Sequence, residues 1–468
     1  MNARPMLAVL AATTLSGCAS FSPDGGFGAI ESAVRERTGR DAKWVRTEDD
    51  ANSVRARVKE LLAQPLSGDT AAQVALLNNP GLQAAYAEMG IAEAELVQAS
   101  RWSGPKLSFA RLRRGDGTEY ERSVFFDILG LISIPLSTRA QEKRFASAQM
   151  RASAEALRVA LEARKAWFAA VSAAEAARYM EQVKDAAQAS AELARRMAAV
   201  GNWPKMNHAR EQAFYAEAVA QLARARHASV AARERLTRLM GLWGEQAVAY
   251  RLPERLPDLP KAVRDAPDLE AQALAQRLDV QAARRDSESL AASLGMTRAT
   301  RFVDLLELGF HRNSESPRPL QRGWEAELRI PIFDFGAARA TRAEHLYLQS
   351  VQRTMDIAIQ ARSEVREAYN AYRTAFDLAQ HYRDEIVPLR ARISEEVLLR
   401  YNGMLLSVFE LLADARERVG AVGAYIDALR GFWIAESDLQ AALTGMSPGA
   451  MGAVRPAAMP AAAAAAEH

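Results

Sequence analysis

The sequence predicts a mainly α-helical protein with a small β part, organised as two structural repeats. Short motifs recur in the same order about 200 residues apart, which is typical of an internal repeat. Long segments space apolar residues alternately by three and four positions, which predicts coiled-coil helices. A few short segments alternate apolar and charged residues, which predicts half-buried strands.

The composition excludes several classes of protein. The 468 residues include 60 Lys and Arg and 57 Asp and Glu, with both signs interspersed, so there is no basic patch for a nucleic acid. A hydrophobic content of 49% excludes a disordered chain. The single cysteine excludes an intramolecular disulfide and a cysteine-based metal cage. No apolar run is long enough for a transmembrane helix.

The N-terminus has the features of a lipoprotein signal peptide. Residues 1–17 combine Arg4 with an apolar stretch that is too short to span a membrane. Cys18 follows Leu-Ser-Gly, and this pattern resembles the bacterial lipobox, which implies that Cys18 is lipidated. An ordinary signal peptide with an incidental cysteine is the alternative. Ala19 favours sorting to the outer membrane, and the Ser-, Pro- and Gly-rich residues 20–28 predict a flexible tether.

A proline-rich segment separates the two repeats. The expected organisation is a signal peptide (1–17), a lipid-anchored tether with a periplasmic segment (18–69), a first repeat (70–251), a linker (252–267), a second repeat (268–446) and an Ala/Pro-rich tail (447–468). Each repeat contains a helical stretch, two strand-like runs, a long helix and a return helix. Breaks at Gly201 and Gly403 predict the tips of two helical hairpins.

The long helices carry small and apolar residues on a heptad seam, which lets neighbouring helices approach closely. In the second repeat this seam runs from Val365 through Tyr372 and Leu389 to Ile393. Pro388 lies within it and predicts a kink, because proline lacks the backbone donor and clashes with the preceding turn.

The strand-like runs predict two hairpins. They are expected at residues 107–113, 123–134, 302–310 and 324–332. In the last run, apolar even positions from Trp324 to Ile332 alternate with Glu325, Glu327 and Arg329. In a membrane the apolar face would meet lipid, and these three charged residues would line a water-filled lumen. Because four strands cannot close a barrel, several chains would have to share one. A soluble sandwich covered by helices is the alternative.

Several motifs follow one another along the chain. They are residues 76–80 (LLNNP) with Leu82, 134–135 (IP), 330–336 (IPIFDFG), 386–389 (IVPL), 401–403 (YNG) and 411–413 (LLA). Together they resemble the TolC-like outer-membrane efflux protein family over residues 70–446, and the lipobox resembles the lipoprotein branch of that family.

This resemblance implies a channel rather than an enzyme. It implies a homotrimer in which three chains form a 12-stranded barrel in the bacterial outer membrane, continued by a trimeric α-barrel across the periplasm. The implied partners are a periplasmic adaptor, an inner-membrane pump and outer-membrane lipid, and no cofactor or catalytic residue is implied. The substrate stays open between heavy-metal cations and drugs or other small molecules.

The resemblance also implies a gate at the periplasmic tips, near Gly201 and Gly403. Glu410 and Asp414 are four residues apart, so three copies of a helix would carry two stacked acidic rings, which favour cations. The corresponding stretch of the first repeat holds Asn207 and Glu211. The alternative is that Glu410 and Asp414 are solvated carboxylates on a helix surface.

Other functions have weaker sequence support. No histidine pair has metal-ligand spacing, so no metal site is expected; contact of Met206, His208 and Met404 with a soft metal ion is a minor alternative. A periplasmic adaptor would have one helical hairpin flanked by β domains. A structural coiled-coil envelope lipoprotein would lack the alternating strand at 324–332.

Overall fold

The computed structural model describes residues 20–114, 117–201, 204–263, 268–315 and 318–445. Cys18 and the tail 447–468 lie outside the described residues. The chain divides into two compact units. Of the described residues, unit 1 comprises 20–30, Ala85–Ala152 and Leu278–Ile359, and unit 2 comprises Glu31–Ala84, Ser153–Arg277 and 360–445.

The described elements are mostly helices, and the mainly α class with a small four-stranded sheet is confirmed. The helices are α1 (Gly28–Thr38), α2 (Glu48–Leu62), α3 (Gly68–Asn78), α4 (Pro80–Ala99), α5 (Ile128–Ala199), α6 (Lys205–Leu239), α7 (Gln246–Ala249), α8 (Leu269–Gln276), α9 (Leu278–Ala299), α10 (Ala337–His381), α11 (Val387–Asn402) and α12 (Val408–Thr444). The strands are β1 (Lys106–Arg114), β2 (Gly117–Asp127), β3 (Leu305–Glu315) and β4 (Gln321–Arg329). Within the described part of the chain, no helix is both long and apolar enough to cross a bilayer.

The core of unit 2 is built around aromatic side chains from α5, α10 and α12. The Phe168 ring stacks on Trp433 with a centroid distance of 5.2 Å, and Tyr372 lies 5.6 Å from Phe432. Trp167 donates its indole N–H to the carbonyl of Leu66 at 2.7 Å. Burial of large aromatic rings supplies much of the hydrophobic stabilisation of a helical core.

The described part of the linker, residues 252–263, is not a free connection. Leu256 and Leu259 are buried in the aromatic core of unit 2. The Trp433 indole N–H donates to the carbonyl of Pro257 at 3.0 Å, and a Glu175 carboxylate accepts the backbone N–H of Leu256 at 3.3 Å. The prolines therefore hold an extended segment against α5 and α12.

The LLNNP motif has a structural role in unit 2. Asn79 separates α3 from α4: its side-chain oxygen accepts from the Leu82 N–H at 3.0 Å, and its amide donates to the carbonyl of Leu239 at 2.8 Å. Pro80 opens α4, a position where a missing backbone donor costs nothing. Gly241 packs beneath this junction with φ +67°, and a Cβ there would lie 2.4 Å from the carbonyl oxygen of Asn78.

The segment expected to be a flexible tether is instead docked within unit 1. The backbone N–H of Ser22 donates to the buried Glu93 carboxylate at 2.7 Å, and the Ser22 hydroxyl donates to the same oxygen. The Phe27 ring meets Tyr86 edge-on at 4.9 Å. The expectation for residues 20–28 was therefore wrong, because composition does not show that a buried acceptor lies opposite the segment.

Unit 1 contains an antiparallel sheet in the order β1-β2-β3-β4. The strand expected at 123–134 was misplaced: β2 begins at Gly117 and ends at Asp127, and residues 128–134 start α5. The Asp127 carboxylate accepts the Gly130 N–H at 2.7 Å, which supports this helix start. A short apolar run has no clear period, so its sequence is compatible with a strand or a helix. The fourth strand lies three residues earlier than expected, at Gln321–Arg329.

Pro388 is accommodated by a turn of π-helix. Tyr382–Ile386 forms this turn, and the N–H of Val387 donates to the carbonyl of Tyr382. Pro388 then lies in the first turn of α11. The irregularity expected at Pro388 thus lies in the residues just before it. The wider π-turn relieves the clash between the proline ring and a backbone carbonyl of the preceding turn.

Candidate functional site

The sheet of unit 1 has two chemically distinct faces, because directly opposed residues on antiparallel strands project to the same side. Glu327 pairs with Glu307, and Glu307 pairs with Asp127, so three carboxylates lie level on one face. Further acids share it, and we call it the acidic face; its carboxylates are Glu119, Glu121, Asp127, Glu307, Glu325 and Glu327.

The opposite face is apolar over most of its length. Leu107 pairs with Val124, Val124 with Phe310, and Phe310 with Trp324. We call this the apolar face; its apolar residues are Leu107, Phe109, Val124, Phe126, Leu306, Leu308, Phe310, Trp324, Ala326 and Leu328. In the single chain Leu107 is 74% exposed and Trp324 73% exposed. A contiguous apolar surface of this kind requires lipid or another protein to cover it.

The three predicted lumen residues lie together on the acidic face. Glu325 has its carboxylate 2.7 Å from the imidazole of His311, and Arg329 lies 3.6 Å from Glu327. The apolar side chains of β4 project to the other side, as the alternation in the sequence predicts. Charge and hydrophobicity are therefore separated across the thickness of one sheet.

The predicted hairpin tips are turns between helices of unit 2. Gly201 follows α5 with φ +80°, and α6 begins after Pro204 without a side-chain cap. Gly403 follows α11 with an ordinary φ of −79°, and the positive φ of that turn belongs to Met404, at +61°. Asn207 lies in the first turn of α6, where its N–H donates to the carbonyl of Pro204 at 3.0 Å.

Glu410 and Asp414 share α12 but have different surroundings. Glu410 is exposed and forms a capping box: its carboxylate accepts the backbone N–H of Ser407 at 2.9 Å and the Ser407 hydroxyl at 3.0 Å. These two donors lower the pKa of Glu410 from its usual value. Asp414 is only 8% exposed, and it has no hydrogen bond or ion pair with any described residue. The sequence shows the capping box as a Ser-x-x-Glu pattern.

Glu211, the acidic candidate of the first repeat, is buried between three helices. It is 3% exposed, accepts the Ser190 hydroxyl of α5 at 2.7 Å, and forms an ion pair with Arg416 of α12 at 2.8 Å. The Arg416 guanidinium also lies over the Phe214 ring, 4.2 Å from its centroid. Sequence reasoning missed this contact, because Arg416 is 205 residues from Glu211 and carries no motif.

Met206 and Met404 are largely exposed, at 63% and 94%. Within the described residues, no group of three or more His, Cys, Asp or Glu side chains is arranged to hold a metal ion.

Solved structures share this fold. The outer membrane protein VceC from Vibrio cholerae matches with a TM-score of 0.67 and 16% identity, covering 84% of this chain and 97% of that one. The Campylobacter jejuni CmeC outer membrane channel matches with a TM-score of 0.65 and 16% identity, covering 87% of this chain and 90% of that one. The open state of the Neisseria gonorrhoeae MtrE outer membrane channel matches with a TM-score of 0.66 and 18% identity, covering 83% of this chain and 89% of that one. The resemblance found in the sequence is thus confirmed for the fold, which is that of bacterial outer-membrane channels. No protein-family model and no curated sequence matches the chain.

Proposed function

We propose that this protein is the outer-membrane channel component of a tripartite efflux system and belongs to the lipoprotein branch of the TolC-like family. The observation that carries the proposal is the separation of the sheet into an exposed apolar face and an acidic face. Combined with the fold of outer-membrane channels, this arrangement suits strands that meet lipid on one side and a water-filled passage on the other.

The proposal requires more than one chain. In one chain the sheet has β1 and β4 at its edges, and a bilayer does not tolerate unpaired edge strands. Four strands are also too few to close a barrel with a water-filled interior. Three chains would give 12 strands, and the acidic face, with Glu325, Glu327 and Arg329, would line the lumen. The long hairpins would extend from this homotrimer into the periplasm as an α-barrel.

The remaining parts of the system follow from the same proposal. The protein would be a passive conduit, so a periplasmic adaptor and an inner-membrane pump would deliver the substrate and supply the energy. Cys18 would carry the lipid anchor. A periplasmic adaptor is less consistent with the structure, because the chain has two long helical hairpins, α5–α6 and α10–α12, and a sheet with an exposed apolar face.

The tips near Gly201 and Gly403 are proposed to close the resting channel, with Glu410 and Asp414 making its entrance cation-selective. Glu410 is exposed and can meet an aqueous entrance directly, whereas Asp414, buried in the single chain, contributes a charge that no described residue pairs with. Glu211 is better suited to hold α6 against α12, since Arg416 compensates its charge.

The membrane position of the sheet can be tested with two neighbouring residues. Leu328→Lys on the apolar face should destabilise the assembled protein by about 2–4 kcal/mol if the residue lies near the bilayer midplane. Glu327→Lys on the acidic face is the matched control; it should leave stability nearly unchanged and alter single-channel conductance.

Stability is measured by unfolding in lipid vesicles, and mass measurement after detergent extraction of outer membranes should give a trimer. Equal stability of the two variants, or a monomer from the inner membrane, would contradict the proposed channel.

A further inference from the structure

The apolar face ends, toward the two hairpin turns, in a group of arginines. They are Arg111 and Arg113 of β1, Arg122 of β2, Arg312 of β3 and Arg322 of β4. Arg312 pairs directly with Arg322. The pairs on either side of Arg122, namely Tyr120 with Ser314 and Ser123 with His311, place it level with Arg312. Arg122, Arg312 and Arg322 therefore form a row across three neighbouring strands, which we call the arginine row.

The positive charge of this row is not balanced by any residue in the described part of the chain. Like charges directly opposite each other on neighbouring strands destabilise a sheet. The carboxylates of the sheet lie on the acidic face, and none of the five arginines forms an ion pair with a described residue. All five are exposed. The guanidinium groups of Arg111 and Arg122 lie 5.8 and 5.9 Å from the Tyr120 ring centroid. Among the described residues nothing supplies the counter-charge, which leaves these guanidinium groups available to an anion from outside the chain.

The position of the row indicates where this counter-charge lies. Arg122 is two residues from Val124 along β2, and Arg322 is two residues from Trp324 along β4. Two residues of a strand span about 7 Å, so the row begins directly beside the last fully apolar level of the face. In a sheet embedded in a bilayer, this is where hydrocarbon gives way to headgroups, the level that Trp and Tyr also favour.

We propose that the arginine row binds phosphate groups of lipid headgroups at the membrane surface toward which the hairpin turns point. This inference rests on the proposed membrane position of the sheet. Arginine suits the role because its planar guanidinium forms paired hydrogen bonds with a phosphate. Three adjacent strands place the Cα atoms of these arginines about 5 Å apart, so two neighbouring guanidinium groups can reach one phosphate. In a trimer the row would occur three times around the barrel.

The test compares lipid retention by the full-length protein and a triple variant, Arg122→Gln, Arg312→Gln and Arg322→Gln. The control is a triple variant with the same charge change on helices and linker, Arg210→Gln, Arg255→Gln and Arg392→Gln, which are exposed residues outside the sheet. Each oligomer is extracted in neutral detergent and incubated with equal amounts of phosphatidic acid and phosphatidylcholine of the same acyl chains. Native mass spectrometry then counts each bound lipid.

The wild type and the control should retain phosphatidic acid in preference to phosphatidylcholine. The row variant should lose this preference by roughly 100-fold, since each basic residue near an anionic surface contributes about fivefold. The preference of the corresponding Arg→Lys triple variant should lie between that of the wild type and that of the row variant. Lysine keeps the positive charge but cannot form the paired hydrogen bonds with a phosphate.

Unchanged preference in the row variant, with normal assembly and conductance, would overturn the lipid site and leave the channel intact. Displacement of phosphatidic acid by millimolar inorganic phosphate would identify a site for free anions and also overturn the proposal. Failure of the wild type to assemble in a membrane would instead contradict the proposed function.

Discussion

The two helical hairpins turn at equivalent places in the two repeats, but they do so by different means. After α5 the left-handed residue is Gly201, and α6 starts without a side-chain cap. After α11 the left-handed residue is Met404, although Gly403 precedes it, and α12 starts with a capping box from Ser407 and Glu410. The comparison shows that a glycine in a repeated motif indicates where the chain turns, and that the residue with positive φ can be its neighbour.

The hairpins also differ in how they use their acids. Glu211 of the first is buried and neutralised by Arg416 of the second. Glu410 stabilises the start of its own helix, whereas Asp414 is buried and has no partner among the described residues. Three carboxylates with similar sequence positions therefore have three different electrostatic roles.

Loss of the contact between the hairpins should have the largest effect. Arg416→Met leaves the Glu211 carboxylate buried with only the Ser190 hydroxyl as a described partner, and unfolding free energy should fall by about 3 kcal/mol. Denaturant unfolding in detergent measures this change. Arg418→Met, an exposed arginine on the same helix, is the control and should be nearly neutral. Equal effects of the two substitutions would mean that the Glu211–Arg416 pair does not stabilise the protein.

Substitutions at the left-handed positions should have opposite signs in the two hairpins. Gly201→Ala should cost about 1 kcal/mol from its φ of +80°, since no described residue beyond its chain neighbours has an atom within 4 Å of the new Cβ. Met404→Gly should stabilise by up to about 1 kcal/mol, because it removes a side chain from a strained conformation.

Gly403→Ala is the control for both, since its φ is ordinary and the nearest atom to a Cβ would be 3.5 Å away. Thermal unfolding midpoints compare the three variants. A destabilised Met404→Gly protein would show that the Met404 side chain makes contacts that outweigh its strain.

Removal of the capping box should cost about 1 kcal/mol at neutral pH, through Ser407→Ala. The backbone N–H and the hydroxyl of Ser407 hold the pKa of Glu410 below its usual value. The bond from the hydroxyl, which the variant removes, therefore stabilises the fold above the usual pKa of a glutamate and is lost as the pH falls through the lowered pKa. The stability difference between wild type and variant should therefore shrink on acidification. A pH series of unfolding curves from 7 to 3 tests this; a constant difference would rule out Glu410 as its source.

The smallest expected effect is on ion preference. Glu410→Gln with Asp414→Asn should lower the cation-to-anion permeability ratio by roughly twofold, since charges in a wide aqueous entrance are screened by salt. Glu211→Gln is the matched control and should leave the ratio unchanged, because Arg416 already compensates that charge. Reversal potentials in planar bilayers give the ratio. A larger change from the Glu211 variant would place the selective acid in the first hairpin.

The features predictable from the sequence are those with local patterns. The alternation from Trp324 to Arg329 was sufficient to assign both faces of β4, and the breaks at Gly201 and Gly403 located the turns. The junction between β2 and α5 at Asp127 and Ile128 was not predictable, because an apolar run without interspersed polar residues fits the period of a strand and that of a helix.

Contacts distant in sequence were not predictable either. Neither Arg416 opposite Glu211 nor Glu93 opposite Ser22 has a local signature, and a composition rich in serine and glycine suggested mobility where a buried carboxylate provides an acceptor. The arginine row was not predictable for the same reason, since its three residues become neighbours only through the register of the strands.

The π-turn at Tyr382–Ile386 changes the phase of the heptad seam. A π-turn contains one residue more than an α-turn, and one residue rotates the following helix face by about 100°. Before it, Tyr372 and Ala379 of the seam are buried; after it, Leu389 is 50% exposed in the single chain. The π-turn thus acts as a one-residue insertion in the repeat, so α11 presents a different side from α10. Deletion of one residue within 382–386 would restore the phase and return Leu389 to the seam.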